Sequence, residues 1–169
     1  MQKGFATLEI IFAMMIFALL AGAALPNVTR VLEKSSLDYE TKRLYSELRF
    51  AQALSRGTSI EKDDIMVGGF GKMPPSPGAT VTIESSIRSD SWQVRLGSTE
   101  LDPLLREHHV LRNGEKFSFN NYNLRKISFD STGKPDANGT LTLTTRSGRD
   151  KSNIIFDSVG RILVGRDND

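Results

Sequence analysis

The chain has no cysteine, two histidines, one tryptophan and a nearly balanced formal charge of +2. The lack of cysteine excludes disulfide scaffolds, thiolate metal sites and cysteine nucleophiles. The balanced charge gives no strong general attraction to nucleic acid. At 169 residues the chain is long enough for about one domain, so the distribution of its apolar residues becomes the informative feature.

Sites for catalysis and cofactors are equally scarce. His108 and His109 are adjacent, so on a strand they would point to opposite faces, and solvent-facing histidines need no function. Neither stands in an HExxH motif or a recognisable triad, and we expect no enzyme activity and no cofactor. The glycines at 68, 69 and 71 are not followed by the Lys-Ser/Thr pair of a phosphate loop.

A glycine-rich turn carries Asp130, Asp136 and Asn138, whose oxygens could contribute to a calcium site. The spacing of an EF-hand is absent, however, and Asp and Asn are common turn formers. We therefore predict a turn without a metal at this position.

The apolar residues are concentrated near the N-terminus. After the polar residues 1–4, all but three of the 21 residues of Phe5–Leu25 are apolar. A helix of this length extends about 31 Å, which matches the hydrocarbon thickness of a bilayer. The sequence thus predicts a membrane-spanning helix over residues 5–25, and Lys3 on the cytoplasmic side directs the rest of the chain outward.

Glu9 interrupts this apolar segment about one turn from its start. A carboxylate in lipid costs several kcal/mol unless it finds a partner. Cleavage between Gly4 and Phe5 would create an α-amino group four residues before Glu9, about one helical turn away. That cation could belong to the same chain or to a neighbour in an assembly.

The segment Lys3-Gly4-Phe5-Ala6-Thr7-Leu8-Glu9 resembles the leader of type IV pilins and of the pseudopilins of type II secretion. Pro26, the twenty-second residue after the cleavage point, also matches. The resemblance implies a leader of residues 1–4, which an inner-membrane prepilin peptidase removes before it N-methylates Phe5. It further implies a single-pass inner-membrane protein with a periplasmic C-terminal domain that later enters a filament.

Two other interpretations of the N-terminus remain open. Ala21-Gly22-Ala23 could be the cleavage motif of an ordinary signal peptide, which would leave a soluble exported β protein beginning at Ala24. A plain membrane anchor with an accidental Glu9 is the second.

Residues 26–57 contain no glycine before Gly57 and no proline after Pro26, so we predict an amphipathic helix that continues the first and ends at Gly57. Pro26 removes one backbone hydrogen bond and permits a kink. We expect an apolar stripe to pack on the following domain; it comprises Leu37, Leu44, Leu48 and Ala51, flanked by Val31, Tyr45 and Leu54.

Residues 58–169 predict a β-rich domain, which makes the fold class α+β with a long N-terminal helix on an antiparallel β domain. No internal repeat is evident, and Lys72–Gly78 is the best candidate for a surface loop. The predicted strands are Ile65–Phe70, Ala79–Ser85, Trp92–Leu96, His109–Arg112, Lys116–Phe119, Arg125–Phe129, Thr140–Thr145, Asn153–Phe156 and Arg161–Val164.

The C-terminal half resembles the GspH/FimT branch of the pilin superfamily. The residues that carry the likeness are Leu48–Ala53, Ile127–Gly133, Gly139–Leu143, Ile154–Phe156 and Val159–Ile162. The resemblance implies a minor pilin or pseudopilin of a type IV pilus or a type II secretion pseudopilus. Its implied partners are other pilin or pseudopilin subunits, the prepilin peptidase/methyltransferase, inner-membrane lipid before assembly, and secreted cargo.

DNA binding in a competence pilus is an alternative function, because FimT-like pilins can contact phosphates through a C-terminal Gly-Arg-x-Arg. The corresponding Gly160-Arg161-Ile162-Leu163 lacks the second arginine. The remaining candidate cations are nearly cancelled by Asp150, Asp157, Asp167 and Asp169, so we do not expect strong binding. Those cations are Arg146, Arg149, Lys151, Arg161 and Arg166.

Overall fold

The fold was obtained as a computed structural model, which describes residues 3–58, 78–85, 89–97, 103–111 and 113–166. One long helix, α1 (Lys3–Thr58), precedes eight strands and a short 3-10 helix at Tyr122–Arg125. The α+β prediction is confirmed. The strands are β1 (Ala79–Ser85), β2 (Asp90–Arg95), β3 (Leu104–Val110), β4 (Lys116–Phe119), β5 (Lys126–Phe129), β6 (Gly139–Thr144), β7 (Lys151–Phe156) and β8 (Ile162–Arg166).

The chain divides into two compact units, Met1–Ser35 and Ser36–Asp169. The first unit is helical from Lys3 onward. It contains a strongly apolar stretch, none of which is buried, so this helix is long and apolar enough to cross a membrane. The side chains of Leu8, Ile11 and Phe17 are 55%, 65% and 76% exposed.

Pro26 lies inside α1, and the helix is continuous on both sides of it. Proline cannot donate to the carbonyl four residues earlier, so one intrahelical bond is lost at this point. The hydroxyl of Thr29 donates to the Pro26 carbonyl at 3.0 Å. The two predicted helices therefore form one element, and a bend at Pro26 stays a prediction.

The second unit combines the C-terminal part of α1 with two four-stranded antiparallel sheets. The strand order is β3-β2-β1-β5 in sheet A and β4-β6-β7-β8 in sheet B. Its core contains Leu37, Leu44, Leu48 and Ala51 of α1, all at most 2% exposed. The predicted helix stripe is thus confirmed at these four positions, whereas Val31 is 67% exposed and was wrongly included.

The strand predictions agree with the structure at β1 and β4, and shift by one or two residues at most others. The largest error is β3, which begins at Leu104 rather than His109 because bulges interrupt its alternation. Arg125 belongs to the 3-10 helix, not to a strand. The predicted strand Ile65–Phe70, the glycines at 68, 69 and 71, and all of the Lys72–Gly78 loop before Gly78 lie outside the described residues.

Candidate assembly site

The apolar start of α1 carries the residues predicted to control processing and assembly. The backbone of Gly4 and Phe5 is helical, while the side chain of Phe5 lies outside the described part of the chain. Glu9 is exposed among apolar neighbours. Among the side chains that the structure describes, no cation lies within ion-pair distance of its carboxylate.

The C-terminal part of α1 is held to the sheets by Gln52. Its side-chain nitrogen donates to the carbonyls of Gly133 at 2.7 Å and of Gly160 at 2.6 Å, and the residue is 2% exposed. The side-chain oxygen of Gln52 accepts from Arg49 at 2.9 Å. A single buried amide thus links the helix to two turns that lie far apart in sequence.

These two turns are copies of one another. Each follows a buried phenylalanine, runs Asp-Ser-x-Gly, and is closed by a 2.9 Å bond from the glycine N–H to the aspartate carbonyl. Gly133 and Gly160 have φ of +78° and +89°, backbone conformations that residues with a Cβ rarely adopt. The pair Phe129–Lys134 and Phe156–Arg161 is a short internal repeat that the sequence analysis missed, although it is visible in the sequence.

Two irregularities in the pairing of β2 with β3 turn both Arg106 and His109 towards α1. Arg106 Nε lies 3.4 Å from the Glu47 carboxylate, and its guanidinium stacks 4.9 Å from the Phe50 ring. A regular strand would point residues 106 and 109 to opposite faces, which is why the sequence pattern alone did not predict this contact.

The adjacent histidines do point to opposite faces, as predicted. His109 is 9% exposed, donates to the Glu40 carboxylate at 2.7 Å and packs 4.3 Å from the Trp92 ring. His108 faces solvent and contacts the Ser91 hydroxyl at 2.9 Å. The expectation of solvent-facing histidines is therefore wrong for His109, which fastens the helix to β3.

One of the five cations considered for DNA binding, Arg161, lies apart from the other four. The backbone positions of Arg149, Lys151 and Arg166 are at the end of sheet B where β7 begins, because Arg166 pairs with Ser152. Arg161 follows the other end of β7, about 20 Å away for a six-residue strand. Arg161 is also bound to Asp157 at 2.8 Å. This separation and the ion pair with Asp157 count against Arg161 as a DNA contact.

The carboxylates considered for calcium are used as turn acceptors. Burial alone would raise the pKa of Asp130, but hydrogen bonds from the Thr132 hydroxyl and the Thr132 and Lys134 amides lower it below its ordinary value. Burial raises the pKa of Asp136, whose oxygen accepts from the Ser128 amide at 3.0 Å. Within the described ranges no three His, Asp or Glu side chains converge on one point.

Taken together, the long exposed apolar helix and the two antiparallel sheets define a single-pass membrane-anchored α+β protein with a C-terminal domain. The profile of the family described as type II transport protein GspH matches residues 40–160. The chain therefore belongs to the GspH family, the pseudopilins of type II secretion. No curated protein and no solved structure matches it significantly.

Proposed function

We propose that the chain is a minor pseudopilin of a type II secretion pseudopilus, cleaved between Gly4 and Phe5 and N-methylated on Phe5. The membrane-length helix anchors the precursor in the inner membrane with the β domain in the periplasm. The same helix then enters the filament core beside other pseudopilins, while the β domain faces neighbouring subunits or secreted cargo.

One observation carries this proposal. Glu9 is a carboxylate placed in an apolar segment with no described cation in ion-pair distance. A buried charge is tolerated when a counter-ion neutralises it, and the amino group created at Phe5 supplies one. Because that amine can belong to a neighbour, pairing favours subunits stacked in register, which links processing to assembly.

The experiment is co-purification of Glu9→Ala with the assembled filament. We expect membrane insertion to be equal to that of the wild type or better, because an unfavourable charge is removed, while incorporation falls about tenfold or more, which corresponds to a loss of about 1.4 kcal/mol. Glu33→Ala is the matched control and should assemble normally. It also removes an acid from α1, but one that lies outside the apolar segment of residues 5–25. Normal incorporation of Glu9→Ala would contradict the proposal.

A further inference from the structure

A shallow recess of about 300 Å³ opens beside the 3-10 helix, next to the end of the domain where β6 begins. It combines two cations, one acid and an exposed aromatic ring, and neither the family assignment nor the processing site accounts for it. Its lining residues are Tyr122, Asn123, Arg125, Lys126, Asp136 and Ala137.

The short helix that supports the recess is fixed at its N-terminal end. Asn121 caps it by accepting from the Asn123 amide at 3.1 Å, and the Asn121 side-chain nitrogen donates to the Asn138 carbonyl at 3.0 Å. Leu124 is fully buried beneath it. Residues three apart eclipse in a 3-10 helix, so Tyr122 and Arg125 lie on the same side. The recess is therefore built on a rigid support.

The guanidinium of Arg125 lies against two aromatic rings, but no described carboxylate pairs with its charge. Its guanidinium lies 4.5 Å from the Tyr122 ring centroid and 5.7 Å from that of Phe119. Its one hydrogen bond among the described residues goes to the Tyr122 hydroxyl at 3.4 Å, and its Nε is buried without a partner there. No carboxylate in the described part of the chain lies within 4 Å of it. Such a guanidinium is pre-organised for an external anion.

The acid of the recess does not fill this role. Asp136 directs one carboxylate oxygen to the Ser128 amide, and burial already disfavours its charged form. Tyr122, by contrast, is 73% exposed, and an exposed tyrosine beside an arginine is the composition typical of protein–protein hot spots. The recess thus offers a cation and an aromatic face to a partner.

We propose that this recess binds a carboxylate side chain of another protein subunit, with Arg125 as the anion-binding group and Tyr122 as the apolar contact. Planar guanidinium and carboxylate groups match in a bidentate geometry. A phosphate backbone fits less well, because strong binding to it needs a row of uncompensated cations. The inference rests on the proposed function only in taking the partner to be a subunit of the same assembly.

The test is an NMR titration of the full chain in micelles of uncharged detergent. The probe is N-acetyl-glutamate α-methylamide, and N-acetyl-glutamine α-methylamide is its neutral isostere. We expect the glutamate probe to shift the amides of Tyr122–Lys126 saturably, with millimolar affinity, and the glutamine probe to bind at least about fivefold more weakly. Equal shifts from both probes, or no saturable shift from either, would overturn the proposal.

Three variants locate the site. Arg125→Gln should abolish the response, and Arg125→Lys should weaken it about fivefold because the bidentate geometry is lost. Arg146→Gln, which removes an exposed arginine from the distant β6–β7 turn, should leave it unchanged. Buried Trp92 reports that each variant is folded. An unchanged response in folded Arg125→Gln would refute the assignment.

A thymidine oligonucleotide of about 12 residues serves as the competing ligand. If it shifted the same amides at lower concentration than the glutamate probe, the recess would be a nucleic-acid site and the proposal would be wrong. Failure of carboxylate binding together with normal cleavage after Gly4 would overturn this inference alone. Carboxylate binding without cleavage would overturn the proposed function instead.

Discussion

The side-chain nitrogen of Gln52 lies 2.6 Å from the carbonyl oxygen of Gly160, a residue 108 positions later in the chain. The same nitrogen serves the Gly133 carbonyl of the duplicate turn, and the two turns pack so closely that a Cβ at Gly160 would be 3.1 Å from the Gly133 oxygen. One amide group thus satisfies two buried acceptors and fixes the end of α1 to both sheets.

Replacing Gln52 by alanine should destabilise the domain strongly. Two buried carbonyls would lose their donors, which we expect to lower the free energy of unfolding by about 2 to 4 kcal/mol. The measurement is urea denaturation in uncharged micelles, followed by the fluorescence of the single tryptophan, Trp92, which is 2% exposed.

Gln93→Ala is the matched control for this substitution. Within the described part of the chain, the amide of Gln93 makes two 3.4 Å hydrogen bonds, with Glu84 and Arg95, so its loss should change stability by about 0.5 kcal/mol or less. If the Gln52 and Gln93 variants had the same denaturation midpoint, Gln52 would not be the fastening that its geometry indicates.

Double-mutant cycles should show that His109 is coupled to its acidic partner more strongly than His108 is to its own. Removing Glu40 and His109 singly leaves a buried polar group without its partner, so we expect a coupling energy of about 1 to 3 kcal/mol between Glu40→Ala and His109→Ala. The pair His108 and Glu84 is 4.0 Å apart and half exposed, and its coupling should stay below about 0.5 kcal/mol. Equal coupling in both cycles would contradict the structure at β3.

The pH dependence of stability should differ in sign between Asp130 and Asp136. The pKa of Asp130 is lowered in the fold, so its charge contributes stability above its ordinary pKa of 3.8, which is lost as the pH falls through the lower folded value. The pKa of Asp136 is raised, so its charge opposes folding above that raised value and the fold recovers stability as the pH falls towards 3.8.

Urea midpoints measured between pH 3 and 7 test this difference, with each aspartate replaced by asparagine. At neutral pH, Asp130→Asn should lower the midpoint, and the deficit should vanish in acid. Asp136→Asn should keep or raise the midpoint at neutral pH, and its advantage should shrink as the pH falls towards 3.8. A lower neutral midpoint for Asp136→Asn would show that the environment of this carboxyl is misassigned.

The sequence predicts those parts of the fold in which local periodicity decides. Leu37, Leu44 and Leu48 recur at helical spacing, and their burial follows from it. Two signals together predict β1 and β4: apolar and polar residues alternate within each strand, and turn residues bound it. Periodicity does not show where along the helix the apolar stripe ceases to pack on the β domain. Val31 was included for that reason, although it is exposed.

Contacts that depend on register could not be predicted in this way. His109 and Arg106 reach α1 only because β3 is bulged, and a bulge is defined by the strand opposite. In the sequence, Gln52 looks like an ordinary helix residue. Its role depends on two distant turns that meet at its side chain only in the folded chain. The repeated Phe-Asp-Ser-x-Gly was the one local signal of that convergence. Sequence periodicity likewise gives no sign that Tyr122 and Arg125 flank a recess.

The central claim concerns the N-terminus of the mature protein. We predict that mass spectrometry of the chain isolated from its own membranes finds N-methylated Phe5 as the first residue, which places an amine one helical turn from Glu9. A chain that still began at Met1 would leave that carboxylate without this counter-ion, and one that began at Ala24 would lack Glu9 and nearly all of the apolar segment. Either result would contradict the account.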